Sequence, residues 1–179
     1  MKRWKALMAV LVIMLVVLAN GSVAQAAEPE IVVREEGISE RLLTDAEVAA
    51  LPTEAVQTLA DDNMVQPLAE DSSYQAYEYT NSYSFYRDDE KIAQADICCV
   101  VFRYTDGKVH LYSRTIDIGR LITYSVSRTY GSIVNTDGSV CYTTGDRVRI
   151  WNEYYTWRYA IDFAATPTGQ SFHCYEITY

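Results

Sequence analysis

Four cysteines and two histidines are the residues of this chain best equipped for covalent or metal chemistry. Cys174 follows His173 directly, so a thiol and an imidazole able to activate it stand side by side. Neighbouring residues on a strand point to opposite faces, however, which separates the pair, and His110 is the one other imidazole. No CxxC or HxxxH spacing offers zinc a ligand set. Cys98, Cys99, Cys141 and Cys174 therefore read as structural, disulfide-forming candidates. Three pairings are open, and Cys98 with Cys99 is the least favoured because their side chains diverge. Glu153, Asp162 and Glu176 are the carboxylates from which a glycosidase pair would be drawn, but no spacing sets two of them across a cleft. The Asp106-Gly107 and Asp137-Gly138 turns fail as calcium loops, since Phe102 and Ile133 stand at their first ligand positions. The sequence thus assigns no catalytic residue, no metal site and no cofactor.

Binding chemistry is better represented. All fifteen tyrosines, and every aromatic except Trp4, lie at or beyond residue 74. Tyr and Trp on an exposed sheet face can stack on sugar rings or anchor a protein partner. Trp151, Tyr154, Tyr155, Trp157 and Tyr159 are dense enough for that role. The odd-numbered members, though, continue into Ile161 and Phe163 as one buried face. Arg103, His110, Tyr112 and Arg114 are expected on the solvated face of a hairpin, as the candidate ligand-contact surface.

These side chains need strands to hold them. From residue 77 the aromatic positions Tyr77, Tyr79, Tyr83 and Phe85 alternate with Glu78, Thr80, Ser82 and Ser84, the period of a half-buried strand. Asp106-Gly107 between two apolar runs predicts a tight type I′ hairpin, with Val100, Phe102 and Tyr104 sharing the core face with Val109 and Leu111. Asp137-Gly138, Gly145-Asp146 and the Thr166-Pro167-Thr168-Gly169 stretch mark further turns. About eight short strands follow residue 74, and no helical period appears beyond residue 60. The expected fold is all-β: a single antiparallel β-sandwich of immunoglobulin-like size over residues 74–179, with a small β-barrel as the alternative.

The preceding chain differs in kind. Lys2, Arg3 and Lys5 precede an apolar run over residues 6–18, and Ala24-Gln25-Ala26 supplies the small residues a signal peptidase requires. Residues 1–26 read as a signal peptide with Ala24 and Ala26 at the cleavage site. Thirteen apolar residues rise about 20 Å as a helix, short of the roughly 30 Å membrane core. Residues 27–73 carry twelve acidic groups against Arg34 and Arg41, and hold neither an aromatic residue nor a cysteine. Such a segment is expected to be a linker or propeptide with short helices over residues 43–51, opened by a Thr44/Glu47 capping box, and over 53–60. Net charge is −9, which disfavours nucleic acid and anionic membrane as partners.

The Leu43-Thr44-Asp45-Ala46-Glu47 leader, the export signal before it and the Tyr/Thr/Ser-rich strands after it together resemble a loose group of small secreted proteins of Gram-positive bacteria. The resemblance spans the whole chain, implies a secreted all-β product and brings no catalytic residues. The function expected is that of a secreted, non-enzymatic module contacting an extracellular protein or glycan. The alternatives are a small secreted hydrolase using a thiol or acid pair, and a toxin or inhibitor restrained by its acidic segment.

Overall fold

The computed structural model describes residues 29–51, 73–120 and 123–178. The signal peptide expected over 1–26, with Ala24 and Ala26, and the helix expected over 53–60 lie outside the described residues. Two antiparallel sheets form the molecule, one of them curled, so the all-β expectation holds. In the first sheet, β1 (Val32–Glu35) and β2 (Ser39–Leu42) lie end to end along one edge of β3 (Tyr74–Arg87), followed by β4 (Glu90–Tyr104) and β5 (Val109–Arg120). The second sheet contains β6 (Ser125–Thr129), β7 (Ser132–Thr136), β8 (Val140–Thr144), β9 (Arg147–Trp151), β10 (Thr156–Thr166) and β11 (Gly169–Glu176). There β8 and β9 pair with one side of β10 while β11 pairs with the other.

The period-two pattern explains the core. Tyr79, Tyr83 and Phe85 of β3 meet Val148, Ile150, Trp157, Tyr159, Ile161 and Phe163 of the facing sheet, all buried. Phe85 packs against Tyr159 with ring centroids 4.8 Å apart, and Phe163 against Phe172 at 4.8 Å. Tilted ring pairs of this kind add about 0.5–1.5 kcal/mol each beyond the area they bury. The odd-numbered aromatic run of β10 is therefore core, as its continuation into Ile161 and Phe163 indicates. On one flank β5 is sealed to the second sheet: Val109 N donates to Gly138 O at 2.7 Å, Leu111 N to Asn135 Oδ1 at 2.8 Å, and Ile116 N to Tyr130 Oη at 3.1 Å. Loop and side-chain acceptors thus satisfy backbone donors that a bare sheet edge would leave open.

Of two Asp-Gly hairpin turns, one meets expectation and the other departs from it. Asp137 and Gly138 both adopt positive φ (34° and 83°), and Ser139 N bonds Thr136 O, giving the expected type I′ turn. At Asp106-Gly107 only Gly107 is left-handed (φ 83°), and Tyr104 exchanges backbone hydrogen bonds with Gly107 and Lys108. This is a three-residue loop, and its odd length moves the register by one. Val101 and Arg103 consequently face inward beside Leu111 and Val109, while Phe102 turns outward with His110. A bulge between Val100 and Val101 then restores the other register, bringing Cys99 opposite Arg114.

The boundary at residue 74 needs correction. Val32–Glu35 pairs with residues 83–86 of β3, and Ser39–Leu42 with residues 77–80, so the acidic segment supplies two strands to the first sheet. Ile31 and Leu43 are buried, and Pro29 O accepts a 3.1 Å hydrogen bond from Trp157 Nε1. Helix α1 (Asp45–Ala49) has the expected capping box, with Thr44 Oγ1 accepting from Glu47 N and Glu47 Oε2 accepting from Thr44 N. It docks instead of trailing: Leu43, Val48 and Leu51 pack with Ala76, Val100, Phe102 and Tyr112 on the outer face of the first sheet. Low mean hydropathy concealed this, because three or four apolar side chains are enough when the covering sheet supplies the rest of a small core. Residues 29–51 belong to the folded domain.

Candidate functional site

The four residues expected to share a contact face do not share one. The register change sends Arg103 and Arg114 between the sheets and leaves His110 and Tyr112 outside. Arg103 donates through Nε to Tyr79 Oη (3.1 Å) and through Nη1 to Pro167 O (2.5 Å), and lies over the rings of Tyr77 and Tyr79. Arg114 Nε pairs with Asp146 Oδ2 at 2.5 Å, the two side chains being 8% and 2% exposed. Its Nη2 donates to Gly131 O at 2.6 Å, while Gly131 N donates to Asp146 Oδ1 at 2.7 Å. A Cβ on Gly131 would stand 1.8 Å from Thr144 O, so the clamp closes only around glycine. Tyr112 stacks on Phe102 at 5.1 Å within the small outer core, and burial lowers the pKa of half-buried His110. Arg103, Tyr112 and Arg114 are thereby engaged in contacts within the fold.

The cysteines are equally committed to the fold. All four thiols are free. Cys99 and Cys141 are fully buried in the main core, whereas Cys98 faces the other side of its sheet, towards Glu78. Burial pushes the thiols of Cys98 and Cys141 up to about 11 and that of Cys174 up to about 12, and raises Cys99 well above its ordinary value. A protonated thiol is neither an effective nucleophile nor a metal ligand. Cys174 does border a notch of about 240 Å³ between β1 and β11, together with Val33, Glu35, Tyr83, Phe172 and His173. Asn81 Nδ2 donates to Glu35 Oε1 there at 2.6 Å, and burial raises the Tyr83 phenol. Thiol, phenol and amide in this notch are held neutral or hydrogen-bonded, a setting for packing. Of the three carboxylates considered for an acid pair, Asp162 accepts from Tyr175 Oη at 3.0 Å while Glu153 and Glu176 are exposed. None of them lines the notch. Among the described residues no group of three or more His, Cys, Asp or Glu is placed to hold a metal.

The most distinctive polar surface lies on the outer face of the second sheet. In β9, Val148 and Ile150 point into the core, which turns Arg147, Arg149 and Trp151 outward. In β10, Trp157 and Tyr159 point inward and Arg158 outward. Arg149 and Arg158 are register partners, directly across from each other, and all three arginines are exposed. Like charges in directly opposed positions destabilise a sheet. The Arg149 guanidinium carbon lies 4.9 Å from the centroid of Trp151, a cation–π seat that fixes its orientation. Among the described residues, neither Arg147 nor Arg149 has a carboxylate within ion-pairing distance. Tyr175 (52% exposed) and Tyr154 (80% exposed) are the large aromatic side chains that β11 and the β9–β10 loop leave to solvent. This arginine face was legible in Arg147-Val148-Arg149-Ile150-Trp151, where charge and apolarity alternate, once both flanking strands were known to share a buried side.

No family model, no curated protein and no solved structure matches the chain.

Proposed function

We propose that the protein is an exported, non-enzymatic binding module and that its contact surface is the outer face of the second sheet. The observation that carries the reading is the exposed row of Arg147 and Arg149 along β9, with Trp151 seating the Arg149 guanidinium, on a chain of net charge −9. Guanidinium groups gathered against the overall charge, one of them pre-oriented by a ring, favour recognition of an anion. Export is supported by the charged start, apolar run and small-residue cleavage site of residues 1–26. The raised thiols support a binding role over a thiol hydrolase.

The test is to express the full chain with a C-terminal tag, recover the mature protein from the medium, and measure its retention by isolated cell envelopes and by protein and glycan arrays. Retention on at least one surface is expected. A protein that stays in the cytoplasm, or one that binds nothing while turning over a thioester or glycoside, overturns the reading.

A further inference from the structure

We propose that the open edge of β11 is a docking site for an extended peptide, which adds a strand to the second sheet. One basic side chain of that peptide enters the notch between β1 and β11 and meets Glu35. The site makes no use of the arginine row and does not depend on it.

The backbone makes the edge available. β11 pairs with β10 on one side and, among the described residues, with no strand on the other. Ile177 N donates to Arg158 O at 2.8 Å, which sets the parity of the ladder: odd-numbered residues of β11 bond to β10. The even-numbered Phe172, Cys174 and Glu176 therefore turn their backbone N–H and C=O groups to the open side. Other edges are guarded. β5, β6 and β7 close on one another through Arg128 Nη1 to Ile116 O and Leu111 N to Asn135 Oδ1. The edge formed by β1 and β2 is broken at Gly37 (φ 110°) into two strands of four residues. β11 runs for eight residues with no proline, lysine or bulge to deter a partner strand.

The notch selects the side chain. A peptide residue opposite Cys174 points its side chain to the same face as Cys174, which lines the notch with Val33, Glu35, Tyr83 and Phe172. Burial keeps the thiol and the phenol neutral there, so they act as walls. Glu35 brings a carboxylate, oriented by the 2.6 Å hydrogen bond it accepts from Asn81 Nδ2. Among the described residues no Lys or Arg lies within ion-pairing distance of it. The alkyl stem of a Lys or Arg can lie along Val33 and Phe172 and carry its charge to that carboxylate. In such docking the backbone bonds supply affinity and the pocket for alternate side chains supplies specificity. A free amine would use the carboxylate and leave the backbone groups of β11 idle. A second copy paired through β11 would bring no cation, since Gly169–Glu176 contains neither Lys nor Arg.

The experiment pans a random dodecapeptide phage library on the secreted mature protein and titrates the selected sequences as synthetic, capped peptides. Those sequences are expected to lack proline, to alternate β-branched residues and to fix Lys or Arg at one position. Methylating peptide nitrogens of one parity should abolish binding, while methylating the other parity leaves it intact. Amide exchange followed by NMR gives the reading on the protein side. The amides of Phe172, Cys174 and Glu176 should exchange fast in the free protein and at least about tenfold slower with peptide bound. Those of Ser171, His173 and Tyr175 should be protected in both states. Glu35→Gln keeps an acceptor for Asn81 and removes the charge, so it should weaken binding about fivefold at an unchanged melting temperature. Glu35→Lys should abolish binding of the basic peptides.

Selection of no common sequence, or of one without a basic residue, overturns the inference. Undiminished binding by Glu35→Lys overturns the role of the notch. Slow exchange of the three even-numbered amides in the free protein overturns the open edge: sensitivity to dilution would identify a second copy as its occupant, and insensitivity another segment of the same chain. Envelope retention that survives any of these failures leaves the binding-module reading standing.

Discussion

Arg114, expected on the contact face, is spent with Asp146 on architecture. Their ion pair is almost fully buried and ties β5 to the turns on either side of β7 and β8 through Gly131. Removing one partner leaves an uncompensated charge in a dry site, so Arg114→Ala or Asp146→Ala should each cost about 3–5 kcal/mol in urea unfolding. A cost near zero would mean that water reaches the pair. The thiols lead to a second expectation at this scale. With Cys98 and Cys141 raised to about 11 and Cys174 to about 12, no more than a trace of thiolate exists at pH 8. Iodoacetamide should leave the native reduced protein unlabelled over minutes at pH 8 and modify all four cysteines after unfolding in urea, as read by intact mass. Rapid labelling of Cys174 in the folded protein would reopen the thiol-hydrolase alternative.

Elements were legible from the sequence where one local rule governs and illegible where two rules compete. Alternation located β3 and β10, and the core face of each is the one their aromatic residues indicate. The Asp106-Gly107 hairpin was visible, but loop length decides its parity. One residue more in the loop turned Arg103 inward, the bulge beyond Leu111 turned Arg114 inward, and together they dissolved the expected contact face. The turn between β3 and β4 was not anticipated, because Asp88 and Asp89 both take left-handed φ (52° and 63°) where glycine or asparagine is the usual signal. Helix α1 was legible through its cap. The backbone N–H of Thr44 first, then Arg41, hold the Glu47 carboxyl down at about 2 from its ordinary 4.5. A depressed carboxylate stabilises fully above the unfolded value, and that contribution is lost as pH falls from about 4.5 through about 2. Amide protection over residues 45–50, followed by NMR exchange, should therefore drop across that window in the wild type and show no such drop in Glu47→Gln. A flat wild-type profile would mean the cap does not hold the helix on the sheet.

At the scale of the whole molecule, composition misled where it was most emphatic. The absence of aromatic residues from 27–73 marks a segment unable to build its own core, but it can still complete one built by others. Segment 29–51 adds β1 and β2 along the edge of β3, buries Ile31 and Leu43, and supplies the carbonyl of Pro29 to Trp157. Two buried aliphatic side chains contribute about 1.5–3 kcal/mol each, so this segment holds a sizeable part of the 5–15 kcal/mol typical of a domain. It also leaves the outer face of the second sheet uncovered, since its strands and helix all attach to the first sheet or its outer side. Completion of the fold and presentation of the arginine face are thus separable. Ile31→Ala should cost about 2 kcal/mol in urea unfolding. A mature chain beginning at residue 52 should melt well below one beginning at residue 28 and gain unpaired, aggregation-prone edge along β3. Equal melting temperatures for the two chains would show that β1, β2 and α1 are attached to the domain without supporting it, and would return the boundary to residue 74.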